Sequence, residues 1–528
     1  MNSSTILISE RHRGASCPRK RILVVNCYFD DSRLPIPRTN KLPRPMGPAY
    51  LAGAFSRELC EVRLHCEMYS GPLEDPQLLA WPDMLVLTGL TTGFDRMLHL
   101  TAYARTKKKD VIVVAGGSPI RAFPRYARRF FDYCCLGDIE QMRDVIADAF
   151  GEAYVAEEML PRYDLAYWIG KIGHAESSRY CNFRCSFCTI TAEGRGYQRY
   201  DLDYIRRQLL AMGKKELVLF IDNNFYGNNR NYFLARLDLI REMYRAGHLG
   251  GWAALVTNDF FFKDENLKLA REAGCLGLFS GVESFDTDWL RKMNKIQNTR
   301  LPQVELIRKC LDAGIVFFYG LMVDVSARPV AALRRELEFI TGTPDITLPG
   351  YISIPIPLPG TPFFYDCLAE GRIFPLTKVR DLDSTTLSLE PLDSTDEVLE
   401  FLRDIQSLRG YRRRVIQHAL GFVRKYRRVL TKQQLTAALA NGALLCAYRL
   451  MTSPSCGVSL RRSTRLRSHV STTDSLDPVY QPAFRVASRY EDYFKPTMIT
   501  DKFGALTEEL AEDLGPSREA RVETLVTL

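Results

Sequence analysis

Short apolar runs closed by Gly or Asp, helix-length amphipathic stretches between them, and a late change to basic helical periodicity predict an α/β chain in three parts. These parts are a doubly wound parallel sheet, a partial (β/α)6 barrel and a mostly helical C-terminal region. The 528 residues are enough for several cores. A hydrophobic content of 46% beside 25% charged residues excludes wholesale disorder and fibrous repeats. The net charge of +9 is too diffuse for the basic stripe of a nucleic-acid binder, so no nucleic-acid partner is expected.

Residues 1–20 read as a polar leader with little to pack. The first sheet is expected within 21–150, from ILVVN (22–26), CEVRLHCEM (60–68), MLVLTGL (84–90), VIVVAGG (111–117) and YCCLGD (133–138). MGPAYLAGAF (46–55) has helical spacing. A linker, 151–170, holds the turn-like LPRYDLAYW (160–168).

Six strand-then-helix units follow in 171–375, on HAESSRYC (174–181), ELVLFID (216–222), WAALVTN (252–258), CLGLFSGVES (275–284), IVFFYGLMV (315–323) and GYISIPIP (350–357). Their starts lie 23–42 residues apart, near the span of a βα unit. Functional groups of such a barrel belong at the strand C-termini.

In 376–528, the stretch 398–430 reads as one or two amphipathic helices with Arg and Lys on the polar face. The chain beyond Ser453 reads as mostly extended, with a last helix over 506–514, and this region is expected to form a lid or substrate wall. The best membrane-span candidate, Leu435 to Leu450, is interrupted by Asn441 and Gly442 and reads as a buried helix. With no secretory signal, a cytoplasmic setting with reduced cysteines is expected.

CNFRCSFC places Cys181, Cys185 and Cys188 in a C-x3-C-x2-C spacing just after the first barrel strand. A zinc site or incidental core cysteines are the plain alternatives. Structural zinc wants four closed ligands, and no nearby Cys or His completes a set. Three thiolates suit a [4Fe–4S] cluster with one iron open.

This string, with Phe187 before the third cysteine, resembles the signature of the radical S-adenosylmethionine (SAM) superfamily. The preceding Rossmann-like domain resembles the cobalamin-binding domain of its cobalamin-dependent subfamily; together the likeness covers roughly residues 20–370. The resemblance implies that Cys181, Cys185 and Cys188 ligate iron, that the Phe187 backbone lies near the adenine of SAM, and that Glu283 and Ser284 hold its ribose and amino-acid parts. By the same likeness Asp222, Asn223 and Asn224, with Thr257 and Asn258, close cofactor-facing strands, and PLPGTP (357–362) lies near the adenine.

For cobalamin, the loops Thr88–Gly93 and Gly116–Pro119 are implied as the edge meeting the lower face and nucleotide tail. Candidate contacts are Thr88, Gly89, Gly93, Gly116, Gly117, Ser118 and Gly137. The D-x-H-x-x-G motif is missing, and only His65 and His99 lie in this domain. Members of the subfamily often lack the motif too, so a cobalt without a histidine ligand is implied.

The activity implied is methylation of an unactivated carbon, or occasionally phosphorus, of a small-molecule substrate. A 5′-deoxyadenosyl radical would abstract hydrogen and methylcobalamin would supply the methyl group. An electron donor such as flavodoxin or ferredoxin is the implied partner. Tyr319 and Asp324, at the end of strand five, are expected to face the substrate as catalytic groups. A non-methylating radical oxidation, cyclisation or rearrangement, and a non-catalytic iron–sulfur carrier or sensor, remain as alternatives. A methylthiotransferase would require three further cluster cysteines, and Cys27, Cys60, Cys66, Cys134 and Cys135 share no loop.

Overall fold

The computed structural model describes residues 18–27, 45–384, 386–440 and 482–515. Most of the polar leader, the Pro-rich loop after Cys27, the second half of the Leu435–Leu450 stretch and the Ser-rich segment after Ser453 lie outside the described residues.

Five parallel strands form the first sheet: β1 (Lys20–Asn26), β2 (Cys60–Cys66), β3 (Met84–Gly89), β4 (Ile112–Gly117) and β5 (Tyr133–Cys135). Their order is β2-β1-β3-β4-β5. The order reverses between β1 and β3, and the crevice beyond the strand C-termini at such a switch point is the usual ligand edge of a doubly wound sheet. Helices on both faces explain why the strands are continuous apolar runs: Leu23, Val25, Leu85 and Leu87 pack into one buried cluster, Ile22, Val24, Met84 and Val86 into another.

The second sheet holds six parallel strands in the order β13-β12-β11-β10-β9-β6. They are β6 (Ile172–Ala175), β9 (Leu217–Phe220), β10 (Trp252–Val256), β11 (Cys275–Glu283), β12 (Val316–Met322) and β13 (Tyr351–Ser353), while β7 (Ser178–Arg179) and β8 (Gln198–Arg199) make a small antiparallel pair. The chain is thus an α/β protein with a doubly wound sheet followed by a six-stranded partial barrel.

Strand alternation decides which side chains meet the helices. Trp252, Ala254, Leu278, Val282, Phe317 and Tyr319 are buried in the cluster shared with the outer helices Gln303–Asp312 and Arg230–Arg245. Their neighbours Leu255, Phe279, Phe318 and Met322 are only partly buried and share the other, inner face. Gly320 is needed there, because an added Cβ would run into the Tyr351 ring.

The described parts of the C-terminal region pack in two places. Helices Thr395–Ser407 and Arg412–Tyr426 bury Val398, Phe401, Val415 and Phe422 against the outside of the barrel, and the chain turns between them at Leu408, with φ +52°. Residues 482–515 return to the first sheet: Ile499, Leu510 and Leu514 join its core, and Asp513 accepts hydrogen bonds from the Arg125 and Tyr126 amides. This segment closes an apolar face of the first sheet's helices, which the sheet alone leaves open. Among the described residues, no helix is long and apolar enough to cross a membrane.

Candidate active site at the barrel mouth

The cysteine loop leaves β6 earlier than its apolar run suggests, and Asp222 is the reason. This fully buried carboxylate accepts from the Ser177 amide (2.8 Å), the Ser177 and Ser178 hydroxyls (2.5 Å each) and Arg236 Nη1 (3.3 Å). The bend delivers Tyr180, at φ +62°, directly to Cys181. Asn223 accepts from the Tyr180 amide (3.0 Å), and Asn224 donates to Asn182 (2.7 Å) while accepting from the Thr257 amide (3.3 Å). Strand two therefore clamps the cysteine loop from below.

Cys181, Cys185 and Cys188 lie on this one loop as free thiols, with Cys185 and Cys188 close enough to raise Cys181 and Cys185 close enough to raise Cys188. Burial pushes the Cys181 thiol up to about 12, and neighbouring thiolates add to the rise; Cys188 is raised for the same reasons. Gln297 Nε2 donates to the Cys185 sulfur (3.6 Å), and Cys185 is itself buried. Among the described residues no three His, Cys, Asp or Glu side chains converge to hold a single metal ion. Three thiols on one loop are the donor set that a [4Fe–4S] cluster with one open iron takes, whereas structural zinc takes four donors.

Glu283 faces this loop from the end of β11, after a register shift and at φ +61°, a strained conformation for a non-glycine residue. Its Oε1 accepts from Lys295 Nζ at 2.8 Å, and both side chains are buried. Burial pulls the Lys295 ammonium down, but Glu283 and the Cys185 and Cys188 sulfurs outweigh it and raise it, so the site keeps a cation. The same ammonium lies 5.5 Å from the centre of the Phe187 ring.

Several expected contacts are occupied by the protein. Tyr319 was expected to face the substrate, but alternation turns it outward and its hydroxyl donates to the Thr347 carbonyl (3.0 Å). Asp324 is fully buried and accepts from the Trp289 indole (2.8 Å), the Ser326 amide and the Ser326 hydroxyl (2.7 Å), which makes it a turn anchor. Ser284 donates to Glu336 (2.7 Å) and accepts from Arg328, so it points away from the mouth. Asn258 is spent between Gln303 and Ser280, and Asp222 on the serines described above. Thr257 donates its hydroxyl to Asp259. The turn at 357–362 caps the helix Pro362–Ala369 through Thr361.

At the edge of the first sheet, Thr88 pairs with Gly116 and Gly89 with Gly117, and with Ser118 they remain half-buried. Gly117 sits at φ +106°, and an added Cβ would lie 2.7 Å from the Gly89 carbonyl. The glycine is required by the close approach of the two strands. Gly93 is buried beneath residues 379–381 and is no edge contact, because Arg380 and its neighbours cover that turn. Gly137 is held by Gln141 and Arg121. His65 contacts the Gly71 carbonyl, and His99 is stacked on Phe494 in the core, so neither imidazole reaches the edge.

The groups that dock the two sheets belong to no motif of the sequence. Asp138 accepts from the Tyr180 hydroxyl (2.6 Å) and Arg195 (3.0 Å), while Arg121 bonds Glu193 and Arg179 bonds Glu140 (2.6 Å). The Gly-Asp closing YCCLGD was the available signal. Lys295 and Gln297 belong to none either, although the polar run after GVES lies one short helix away from Glu283.

Residues 176–327 match the model of the Radical SAM superfamily. The hopanoid C-2 methylase of Rhodopseudomonas palustris is 27% identical over 324 residues, 56% of this chain and 59% of that protein, so the chain spans about three fifths of this relative. TsrM of Kitasatospora setae, a radical S-adenosylmethionine methyltransferase solved with cobalamin and a [4Fe–4S] cluster, superposes with a TM-score of 0.55 at 13% identity, over 82% of this chain and all of its own. OxsB, a cobalamin-dependent S-adenosylmethionine radical enzyme solved with aqua-cobalamin and S-adenosylmethionine, gives 0.54 at 16%, over 87% and 83%. The two superpositions show a shared fold.

Proposed function

We propose that the chain is a cobalamin-dependent radical S-adenosylmethionine enzyme that methylates an unactivated carbon of an apolar small molecule, a reading supported by the Radical SAM match over residues 176–327, the hopanoid methylase and the fold shared with TsrM and OxsB. The observation that carries the reading is the three-thiol loop beside the buried Glu283–Lys295 pair, held under the C-terminal edge of a doubly wound sheet. When bound, a [4Fe–4S] cluster would supply the electron that cleaves SAM to a 5′-deoxyadenosyl radical, and cobalamin would carry the methyl group.

Cys181, Cys185 and Cys188 would hold the cluster. Because burial keeps the Cys181 and Cys188 thiols protonated at neutral pH, loading must release protons, and the Lys295 cation favours these two thiolates. Glu283 and the Phe187 backbone would bind SAM, and Asn223, Asn224 and Thr257 position the loop. Thr88, Gly89, Gly116, Gly117 and Ser118 would form the cobalamin edge within residues 21–150, with no imidazole ligand. The docking bonds of Asp138 keep that edge over the barrel mouth and shield it from water.

The inner face supports the choice of substrate. Leu255 is 38% and Tyr351 51% exposed, and Phe279 stacks on Tyr351 with centroids 6.0 Å apart. Leu219, Phe318 and Met322 share this face, and such an apolar surface suits an apolar substrate, of which the hopanoid in the methylase's name is one kind. A flavodoxin or ferredoxin is the fitting electron donor in a cytoplasmic setting.

The test is anaerobic purification with cobalamin, followed by the visible spectrum and mass analysis of SAM products. Methylation yields both S-adenosylhomocysteine and 5′-deoxyadenosine, and Cys185→Ala abolishes cluster absorbance and SAM cleavage. Deoxyadenosine without S-adenosylhomocysteine would point instead to a non-methylating radical conversion. An inert cluster would point to an electron carrier.

A further inference from the structure

The helix Arg412–Tyr426 covers the barrel with one face only. Val415, His418, Phe422 and Tyr426 are buried at helical spacing, and the inner anchors are the His418 and Tyr426 bonds to the carbonyls of Ile346 and Asp345. The opposite face carries Ile416, 49% exposed, and Leu420, 67% exposed, one turn apart. Arg413, Arg424 and Arg427 project from the same side, with Arg412 and Arg428 at its margins.

No Asp or Glu occurs anywhere in 412–428, against seven Arg and Lys. Arg414 and Lys425, on the flank, pair with Glu338 and Asp345. Among the described residues, Arg412, Arg413, Arg424, Arg427 and Arg428 form no ion pair. Solvated arginines alone would be unremarked, but here they surround two large aliphatic side chains.

We propose that this face docks on the surface of an anionic lipid bilayer, with Ile416 and Leu420 entering the headgroup boundary and the arginines meeting lipid phosphates. Nucleic acid would satisfy the cations but would bury neither aliphatic side chain. An anionic bilayer satisfies both. With only two apolar anchors the attachment depends on charge, so it is reversible and salt-sensitive. The inference does not rest on the catalytic reading, although a bilayer is where an apolar substrate would be met.

The test is co-sedimentation of the full chain with phosphatidylcholine vesicles containing about 30% phosphatidylglycerol, and with pure phosphatidylcholine vesicles. Binding is expected to the anionic vesicles only, and to fall about tenfold or more in Leu420→Glu and in Arg424→Glu/Arg427→Glu. Leu420→Phe should bind like the wild type. Both altered positions are exposed, so melting temperatures should stay near the wild-type value; if Leu420→Glu fails to fold, Leu420→Gln takes its place. Absence of wild-type binding, equal binding by the Leu420 variant, or retention on RNA without vesicle binding would overturn the proposal.

Discussion

Replacing Lys295 by Met tests the electrostatic centre of the barrel mouth. The ammonium lies 2.8 Å from Glu283 Oε1, and each side chain is only 10% exposed. Removing the cation leaves a carboxylate with little water and no compensating charge. Loss of one partner of such a pair costs about 3–5 kcal/mol. For a barrel of this size the loss corresponds to a melting shift on the order of 10 °C. Glu283→Gln/Lys295→Met removes both charges and should recover most of the loss, because the unpaired charge, rather than the missing contact, is the costly element. Thermal unfolding of the cofactor-free protein by circular dichroism measures all three proteins without depending on catalysis. Equal melting of Lys295→Met and wild type, or no recovery in the double variant, would refute the reasoning.

Three further outcomes follow from the geometry. Burial pushes the Glu176 carboxyl up to about 7, with Arg179 opposing and Asp222 reinforcing the rise; the folded state therefore holds a proton that the unfolded chain releases above about 4.5. The resulting stabilisation is full below pH 4.5 and is lost as pH rises towards 7, by on the order of 2–3 kcal/mol, and Glu176→Gln should flatten this slope in urea titrations at pH 5 and pH 8. Gly117→Ala forces a Cβ against the Gly89 carbonyl at φ +106° and should cost about 2 kcal/mol or more, whereas Gly116→Ala makes only ordinary contacts with Cys135, at 3.4 Å to its Cβ and 3.9 Å to its carbonyl, and should cost under about 1 kcal/mol. Comparable urea midpoints for the two would contradict the strand-approach account. Tyr319→Phe should lose about 1–2 kcal/mol through the orphaned Thr347 carbonyl and leave SAM cleavage intact; abolished cleavage in a stable variant would restore a chemical role for that hydroxyl.

The positions of the strands along the chain and the cysteine loop were legible because each is written locally. Apolar runs such as MLVLTGL and IVFFYGLMV state their own burial, and C-x3-C-x2-C needs no distant residue to be recognised. Strand-end polar groups were less legible. Asp222, Asn258, Ser284 and Asp324 stand where ligand contacts belong, yet their hydrogen bonds go to Ser177, Gln303, Glu336 and Trp289. A carboxylate in sequence looks the same whether it meets a ligand or a serine 45 residues away.

What the sequence determined by itself is periodicity and spacing: where strands run, which loop carries three thiols, and that one late helix is basic. Only the tertiary structure decided the rest. Alternation on β12 placed Tyr319 outside and Phe318 inside, the chain's return placed residues 482–515 on the first sheet, and Asp138 joined that sheet to the cysteine loop. The physical reason is that pleat and helical pitch act between neighbours, whereas a buried polar group takes whatever donor the closed chain brings within 3 Å, however far away along the sequence it lies.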